Sequence, residues 1–167
     1  SIGVGLYQHD VNQKKLADSL QTVVESVVNY VGVDLNTASP ALLKYVSGLN
    51  SKLAETIVTH RDEYGAFKNR QELLDVKGMG AKSFEQSAGF LRIRGGDNWL
   101  DNTAIHPESY ESTQKLLDVL ELDWEVVRAN GKIVRRKIED KNISYENLAT
   151  KIGVGEYTLM DILENLE

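Results

Sequence analysis

No cysteine occurs among the 167 residues. Disulfides, thiol nucleophiles and cysteine-held zinc or iron–sulfur centres are thereby excluded, and an intracellular setting is expected. No apolar run approaches the roughly 18 residues that a membrane span requires, and no signal-peptide pattern opens the chain. His9, His60 and His106 are the only histidines, and none has a metal-ligand spacing to another. The carboxylates are scattered over amphipathic faces with no pair set apart. The expectation is therefore no catalytic residue, no metal and no cofactor. No β-rich segment is present either, so the predicted class is all-α. Hydrophobic content of 41% is ordinary for a globular protein and argues against general disorder. The chain opens with Ser and reads as part of something longer.

Positive charge is also in short supply. The net charge of -6 argues at first sight against nucleic acid, but its distribution is uneven. Residues 1–96 carry 11 basic and 10 acidic side chains, and residues 97–167 carry 8 and 15. The first part can thus still present a basic face.

What the sequence does have is a repeat. Leu73-Leu74-Asp75-Val76-Lys77-Gly78-Met79-Gly80-Ala81-Lys82 lies between helical segments, and Leu43-Lys44-Tyr45-Val46-Ser47-Gly48-Leu49-Asn50-Ser51-Lys52 restates it. With Gly48 laid on Gly78, Leu43 meets Leu73, Val46 meets Val76, Leu49 meets Met79, Lys52 meets Lys82 and Glu55 meets Glu85, a lag of about 30 residues. The pattern predicts a helix, a tight turn and a second helix. Glycine permits positive φ and lets the turn amides approach an anion with no Cβ in the way. Those amides and the following helix N-terminus carry partial positive charge. This chemistry suits a nucleic-acid phosphate backbone.

The candidate contacts are Gly48, Asn50, Ser51 and Lys52 in the first copy and Lys77, Gly78, Gly80 and Lys82 in the second. Lys68, Arg70, Arg92 and Arg94 complete the set as surrounding cations. Asn50 replaces the second glycine; asparagine tolerates left-handed geometry, so the turn is expected to close. Its larger side chain handicaps the phosphate contact, which makes the second hairpin the stronger candidate.

Three parts are expected: an entry segment and long helix in residues 1–33, a tandem helix-hairpin-helix domain in 34–96 and an acidic helical domain in 97–167. Val11, Leu16, Leu20, Val23, Val24, Val27 and Val28 predict an amphipathic helix over residues 11–31, preceded by a Gly-rich loop at residues 2–6. No phosphate-loop lysine or dinucleotide fingerprint completes that loop. A short helix is expected within 36–47, capped by Ser39 with Pro40 in its first turn. Ser51 is expected to cap the next, and Asn69 the one ending near Asp75. Phe67 plugs the junction between the two units, and Leu91-Arg92-Ile93-Arg94 reads as an extended tail with both arginines on one side. Beyond a linker at Gly95-Gly96-Asp97-Asn98, a helix over 109–122 should bury Leu116, Leu117 and Leu120, with Trp124 and Val127 extending the packing. Residues 144–152 and 156–166 form two more helices, with Ser144 as cap and Gly153 as stop.

Two sharper readings fail on physical grounds. Lys82 and Asp101 have the superficial spacing of a glycosylase-lyase pair. A Schiff-base lysine needs a depressed pKa, however, and base flipping needs a pocket that the sequence does not supply. Read as a helix-turn-helix, residues 144–166 would set Glu156, Asp161 and Glu164 against phosphates, which is unfavourable. Helical packing or a partner-protein surface is expected there instead.

Leu35-Asn36-Thr37-Ala38-Ser39, Gly48, Ala54, Ile57, Arg61, Gly65, Phe67 and Leu73 to Gly80 together resemble the tandem helix-hairpin-helix domain of bacterial competence DNA receptors and of the Tex family of transcription accessory proteins. The flanks Ser1 to Leu16, Phe84 to Ile93 and Leu100 to Tyr110 are similar to Tex. That resemblance implies an all-α, non-enzymatic, cytoplasmic, monomeric fragment that binds DNA or RNA backbones without strong sequence preference. It also implies contacts with the transcription machinery or other domains of the same chain, and none with a membrane. Tex-like proteins normally end in an OB-fold RNA-binding domain, which is not in this sequence. Competence-receptor DNA binding and a helical protein-interaction scaffold are the alternatives.

Overall fold

Helical periodicity governs the chain. The computed structural model describes the backbone of residues 2–167 and side chains from residue 13 onward. Among the described residues the α-helices are α1 (Ile2–Val31), α2 (Pro40–Leu43), α3 (Ser51–Tyr64), α4 (Ala81–Ser87), α5 (Tyr110–Leu120), α6 (Trp124–Ala129), α7 (Ile133–Asp140), α8 (Tyr145–Ile152) and α9 (Glu156–Leu166). Short 3-10 turns at Arg70–Asp75, Ala88–Phe90, Trp99–Asn102 and Pro107–Ser109 link them. The class is all-α. The sole sheet among the described residues is a two-residue parallel pair, β1 (Val33–Asp34) and β2 (Leu91–Arg92), with Val33 opposite Leu91 and Asp34 opposite Arg92.

Helix α1 starts at Ile2, so Gly3 and Gly5 lie inside it and not in a preceding loop. Each glycine lowers helix propensity by roughly 1 kcal/mol without forbidding the conformation. The apolar face of α1 is real but largely uncovered: Leu16, Leu20, Val23 and Val27 are all more than half exposed, and only Val28 is buried in the last turns. Helix α2 is much shorter than the 36–47 span. Ser39 caps it by accepting from the Leu42 amide at 3.3 Å, Pro40 opens it, and reverse turns replace its second half.

Apolar side chains collect in two clusters. The first joins Leu35, Leu43, Val46, Ile57, Phe67 and Leu73 with the ends of α1 and β2. The second joins Leu100, Ile105 and the inward faces of α5 to α9. Burying one such side chain contributes about 1.5–3 kcal/mol. Phe67 plugs the first cluster, where Asn36 clamps its backbone, accepting from the Phe67 amide at 2.7 Å and donating to its carbonyl at 3.0 Å. Val127 is buried as expected, but Trp124 is 40% exposed and stands outside the core. The sequence pattern offered little sign of α6 and α7, which are short and rest on Val127 and on the i, i+4 pair Val134 and Ile138.

Arg70 joins the clusters. It is 1% exposed, and its guanidinium donates to the carbonyls of Leu91 at 2.9 Å, Ile105 at 2.7 Å, Thr103 at 2.5 Å and Leu100 at 3.4 Å. Its Nη1 also donates to the Tyr110 hydroxyl at 2.7 Å, which in turn donates to Asp101 Oδ1 at 2.5 Å. The other Asp101 oxygen accepts from the Arg70 amide at 3.3 Å, and Asp101 is 2% exposed. Arg70 is thus removed from the set of phosphate-facing cations, because it is buried and its Nε, Nη1 and Nη2 all donate to groups inside the protein. Burial pushes the Tyr110 hydroxyl well above its ordinary value; Arg70 opposes this and the bond to Asp101 adds to it.

Two predictions follow from this network. Arg70→Lys leaves several carbonyls without a donor, since a lysine ammonium lacks the planar fork, and should cost about 3–5 kcal/mol in urea unfolding. Tyr110 keeps its proton more tightly folded than unfolded. Its contribution is complete below the unfolded value near pH 10 and is lost as pH rises toward the folded one. Urea midpoints should therefore fall above about pH 10, and less steeply in Tyr110→Phe; equal slopes in both proteins would contradict the assignment.

Candidate nucleic-acid interface

The two predicted turns form with the same geometry. Gly48 has φ +87° and Gly78 φ +90°, the left-handed region that a Cβ disfavours. The Leu49 amide bonds the Val46 carbonyl at 3.0 Å, and the Met79 amide bonds the Val76 carbonyl at 3.0 Å. Helix α3 starts with Ala54 N–H on the Asn50 carbonyl at 2.9 Å, and α4 with Phe84 N–H on the Gly80 carbonyl at 3.0 Å. The second glycine position is extended in both copies, φ -132° at Asn50 and -93° at Gly80. Asn50 therefore needs no left-handed tolerance. It is the N-cap of α3, accepting from Leu53 N–H at 2.8 Å, and Ser51 is the first helical residue instead of the cap.

The turns pack reciprocally. A Cβ on Gly48 would meet Ser83, Gln86 and Ser87 of α4, and one on Gly78 would meet Leu53 of α3. Position 53 in the first unit corresponds to 83 in the second, so each hairpin sits on the second helix of the other unit. The two contacts differ in tightness. The Gly48 Cβ would lie 3.1–3.2 Å from backbone atoms of α4, whereas the Gly78 Cβ would lie 3.7 Å from the movable end of Leu53.

The cations are distributed unequally. Lys52 and Lys82 are exposed at the second residue of α3 and α4, and Lys77 is exposed beside Gly78. Asn50, Ser51, Gly78 and Gly80 are exposed with them, while Gly48 is partly covered by α4. Lys68 is exposed where the second unit begins, and its carbonyl accepts from Asp97 N–H at 2.8 Å. Arg94 is exposed and pairs with Asp34 at 3.9 Å. Arg92 lies under Gly32 and faces the gap between the clusters, with a buried Nε that has no hydrogen-bond partner. Burial first, and the neighbouring Arg70 second, push its pKa down to about 10. The structure thus brings Gly48, Asn50, Ser51, Lys52, Lys77, Gly78, Gly80 and Lys82 to the paired turns, leaves Lys68 and Arg94 at their margins, and turns Arg92 elsewhere.

The helix pair within residues 144–166 contains a third hairpin of the same form, which its sequence does not announce. Ile152-Gly153-Val154-Gly155-Glu156 joins α8 to α9 with Gly153 at φ +78°, Gly155 extended and Leu159 N–H on the Gly155 carbonyl at 3.1 Å. Tyr157, 87% exposed, takes the place that Lys52 and Lys82 hold in the other two. The signal was the same Gly-x-Gly between helices, hidden by the acidity of α9.

Repeated turns in reciprocal contact define a tandem helix-hairpin-helix protein. Residues 28–92 match the family described as Helix-hairpin-helix motif, and residues 98–167 match one described as HHH domain. The chain is 49% identical over 167 residues to Transcriptional accessory protein Tex of Neisseria gonorrhoeae, covering 100% of this chain and 21% of that protein. It is 47% identical over 167 residues to Protein YhgF of Escherichia coli, again 100% and 21%. A human protein named S1 RNA-binding domain-containing protein 1 is 52% identical over 92 residues, 55% of this chain and 9% of that one. The chain belongs to the Tex family, and it spans about a fifth of the length of these bacterial relatives.

The glycine contacts yield a stability prediction. Gly78→Ala should cost about 1–2 kcal/mol, the strain of a left-handed alanine. Gly48→Ala adds an overpacking term of about 1–3 kcal/mol, because backbone of α4 must move. Denaturant midpoints of the two variants check the order, and equal losses would refute the reciprocal-packing argument.

Proposed function

We propose that the paired hairpins hold nucleic-acid backbones through their phosphates, without sequence preference, as part of a transcription accessory protein. The observation that carries the reading is the duplicated turn: the same φ, the same hydrogen bonds, and a lysine at the second residue of each following helix. An exposed lysine next to outward-directed amides supplies both the charge and the donors that a phosphate takes. The names of relatives, one a transcriptional accessory protein and another an S1 RNA-binding domain-containing protein, support the same class of partner. The reading is of a cytoplasmic binding module without a chemical step. Lys82 acts in it as a charge: it is exposed, and Asp101 is committed to Tyr110 and the Arg70 amide.

Non-specific contacts of this kind give dissociation constants of roughly 10⁻⁴–10⁻⁶ M at physiological salt, weakening steeply as salt rises. In fluorescence anisotropy titrations, the Lys52→Glu/Lys82→Glu double variant should bind duplex DNA at least about tenfold more weakly. The slope of log affinity against log salt should shrink by about 2, one per lost phosphate contact. Lys82→Arg should bind nearly as the parent does. Affinity indifferent to salt, or a double variant that binds like the parent, refutes the reading. Borohydride treatment with abasic-site DNA should trap no adduct; an adduct that vanishes in Lys82→Arg would restore the lyase chemistry.

A further inference from the structure

An open cleft of about 960 Å³ lies where the two clusters meet, bounded on one side by the segment from Arg92 to Ala104 and on the other by α5, α6 and the end of α9. The protein has two tryptophans, Trp99 and Trp124, and both line this cleft. Their ring centroids are 6.1 Å apart and the planes differ by 21°, so the indoles form a nearly parallel stack. The Arg128 guanidinium lies 5.5 Å from the Trp124 ring centroid. Trp124 is 40% exposed, an unusual placement for the largest apolar side chain in a domain that has a well-formed core nearby. Neither indole N–H, nor the side-chain amides of Asn102 and Asn165 in the same lining, makes a hydrogen bond among the described residues.

The charges of the cleft are unevenly matched. Its acids are engaged: Asp97 accepts from Asn69 at 3.0 Å, Glu111 pairs with Lys115 at 3.4 Å, and Glu167 pairs with Arg135. Its cations are not. Arg128 and Arg92 have no carboxylate partner among the described residues, and Arg92 carries the orphaned Nε. Aromatic faces, free amide groups and unmatched guanidinium charge are the elements that hold an unpaired nucleotide, the base on the ring and the phosphate on the cation. The site is also next to the hairpin surface, since Asp97 on its rim bonds the carbonyl of Lys68.

We propose that this cleft takes an unpaired base of a nucleic-acid strand, stacked on the Trp99–Trp124 pair, with its phosphate at Arg128 or Arg92. The inference rests on the reading of the hairpins as backbone contacts and adds a strand preference to it. Hairpin contacts treat single strands and duplexes alike, whereas a base held in a duplex stack cannot enter the cleft. The acidic part of the chain then contributes to binding through stacking, which its net charge does not oppose at the level of one ring.

Because both tryptophans lie in the cleft, indole emission reports on it alone. Titrate the protein with a single-stranded oligothymidylate, a blunt duplex and thymidine monophosphate, following indole emission and, for labelled strands, anisotropy. The single strand should quench the emission and the duplex should bind without quenching. Trp124→Ala and, separately, Arg128→Gln should weaken single-strand binding about tenfold, roughly 1.4 kcal/mol, with duplex binding within about twofold of the parent. Both positions are exposed, and circular dichroism verifies that the variants fold. Strand binding without quenching, or a Trp124→Ala variant that binds the strand like the parent, overturns the proposal. So does quenching by the mononucleotide at the same concentration as by the strand, which would make a free nucleotide the ligand. Loss of duplex binding alone, with strand quenching retained, overturns the hairpin reading and leaves the cleft standing.

Discussion

One buried guanidinium fixes the relation between the halves of this protein. Arg70 belongs by sequence to the second hairpin unit, yet most of its donors end on the segment from Leu91 to Ile105 and on Tyr110 at the start of α5. An arginine this deep carries a desolvation cost of several kcal/mol, and no carboxylate among the described residues pairs with its guanidinium. Backbone dipoles and the Tyr110 hydroxyl take that role, with Asp101 bearing the balancing charge one bond further on. Partial satisfaction of such a network is worse than an apolar core, so the segment between the clusters has little freedom to shift. His106 adds a second tie, with Nε2 at 2.8 Å from the Glu85 carbonyl. The cleft beside Trp99 is bounded by this segment on one side and by α5 on the other.

The hairpins owe their likeness to each other as well as to their sequences. Each turn rests on the partner unit's helix, so the geometry of one is a boundary condition for the other. That explains why the copy with Asn50 closes as well as the copy with Gly80. The position that demands glycine is the first one, where φ is positive, and both copies keep it. The second position asks only for an extended residue able to start a helix, and Asn50 does this better than glycine because it also caps. A larger residue there is a gain for the fold, whatever it does to an approaching phosphate.

Much of this was readable in advance. The repeat, the helical class, the caps Ser39, Asn69 and Ser144 and the stop at Gly153 all depend on local chemistry, and local chemistry is what a sequence displays. Arg70 was misread because a lone arginine near a basic loop looks like surface; its acceptors lie 21 to 40 residues downstream and include carbonyls, which every residue has. Trp124 reads as core by its large apolar ring, yet it stands exposed at the start of α6. The third hairpin is masked in the sequence by the acidity of α9, although its Gly-x-Gly turn is there. The stripe on α1 was correctly seen as apolar, but periodicity says which face is apolar and not what covers it.

The parallel pairing of β1 with β2 has a mechanical consequence. The chain enters the tandem hairpin domain at Val33 and leaves it at Arg92, and those two points lie side by side, running in the same direction. Tension applied across the unit, with one end drawn back along β1 and the other forward along β2, acts along the strands. It loads their hydrogen bonds together in shear instead of peeling them one by one. The paired hairpins lie within the loop so closed and carry none of that force until the clasp gives. The geometry of the turns is thereby insulated from a pull on either end of the segment.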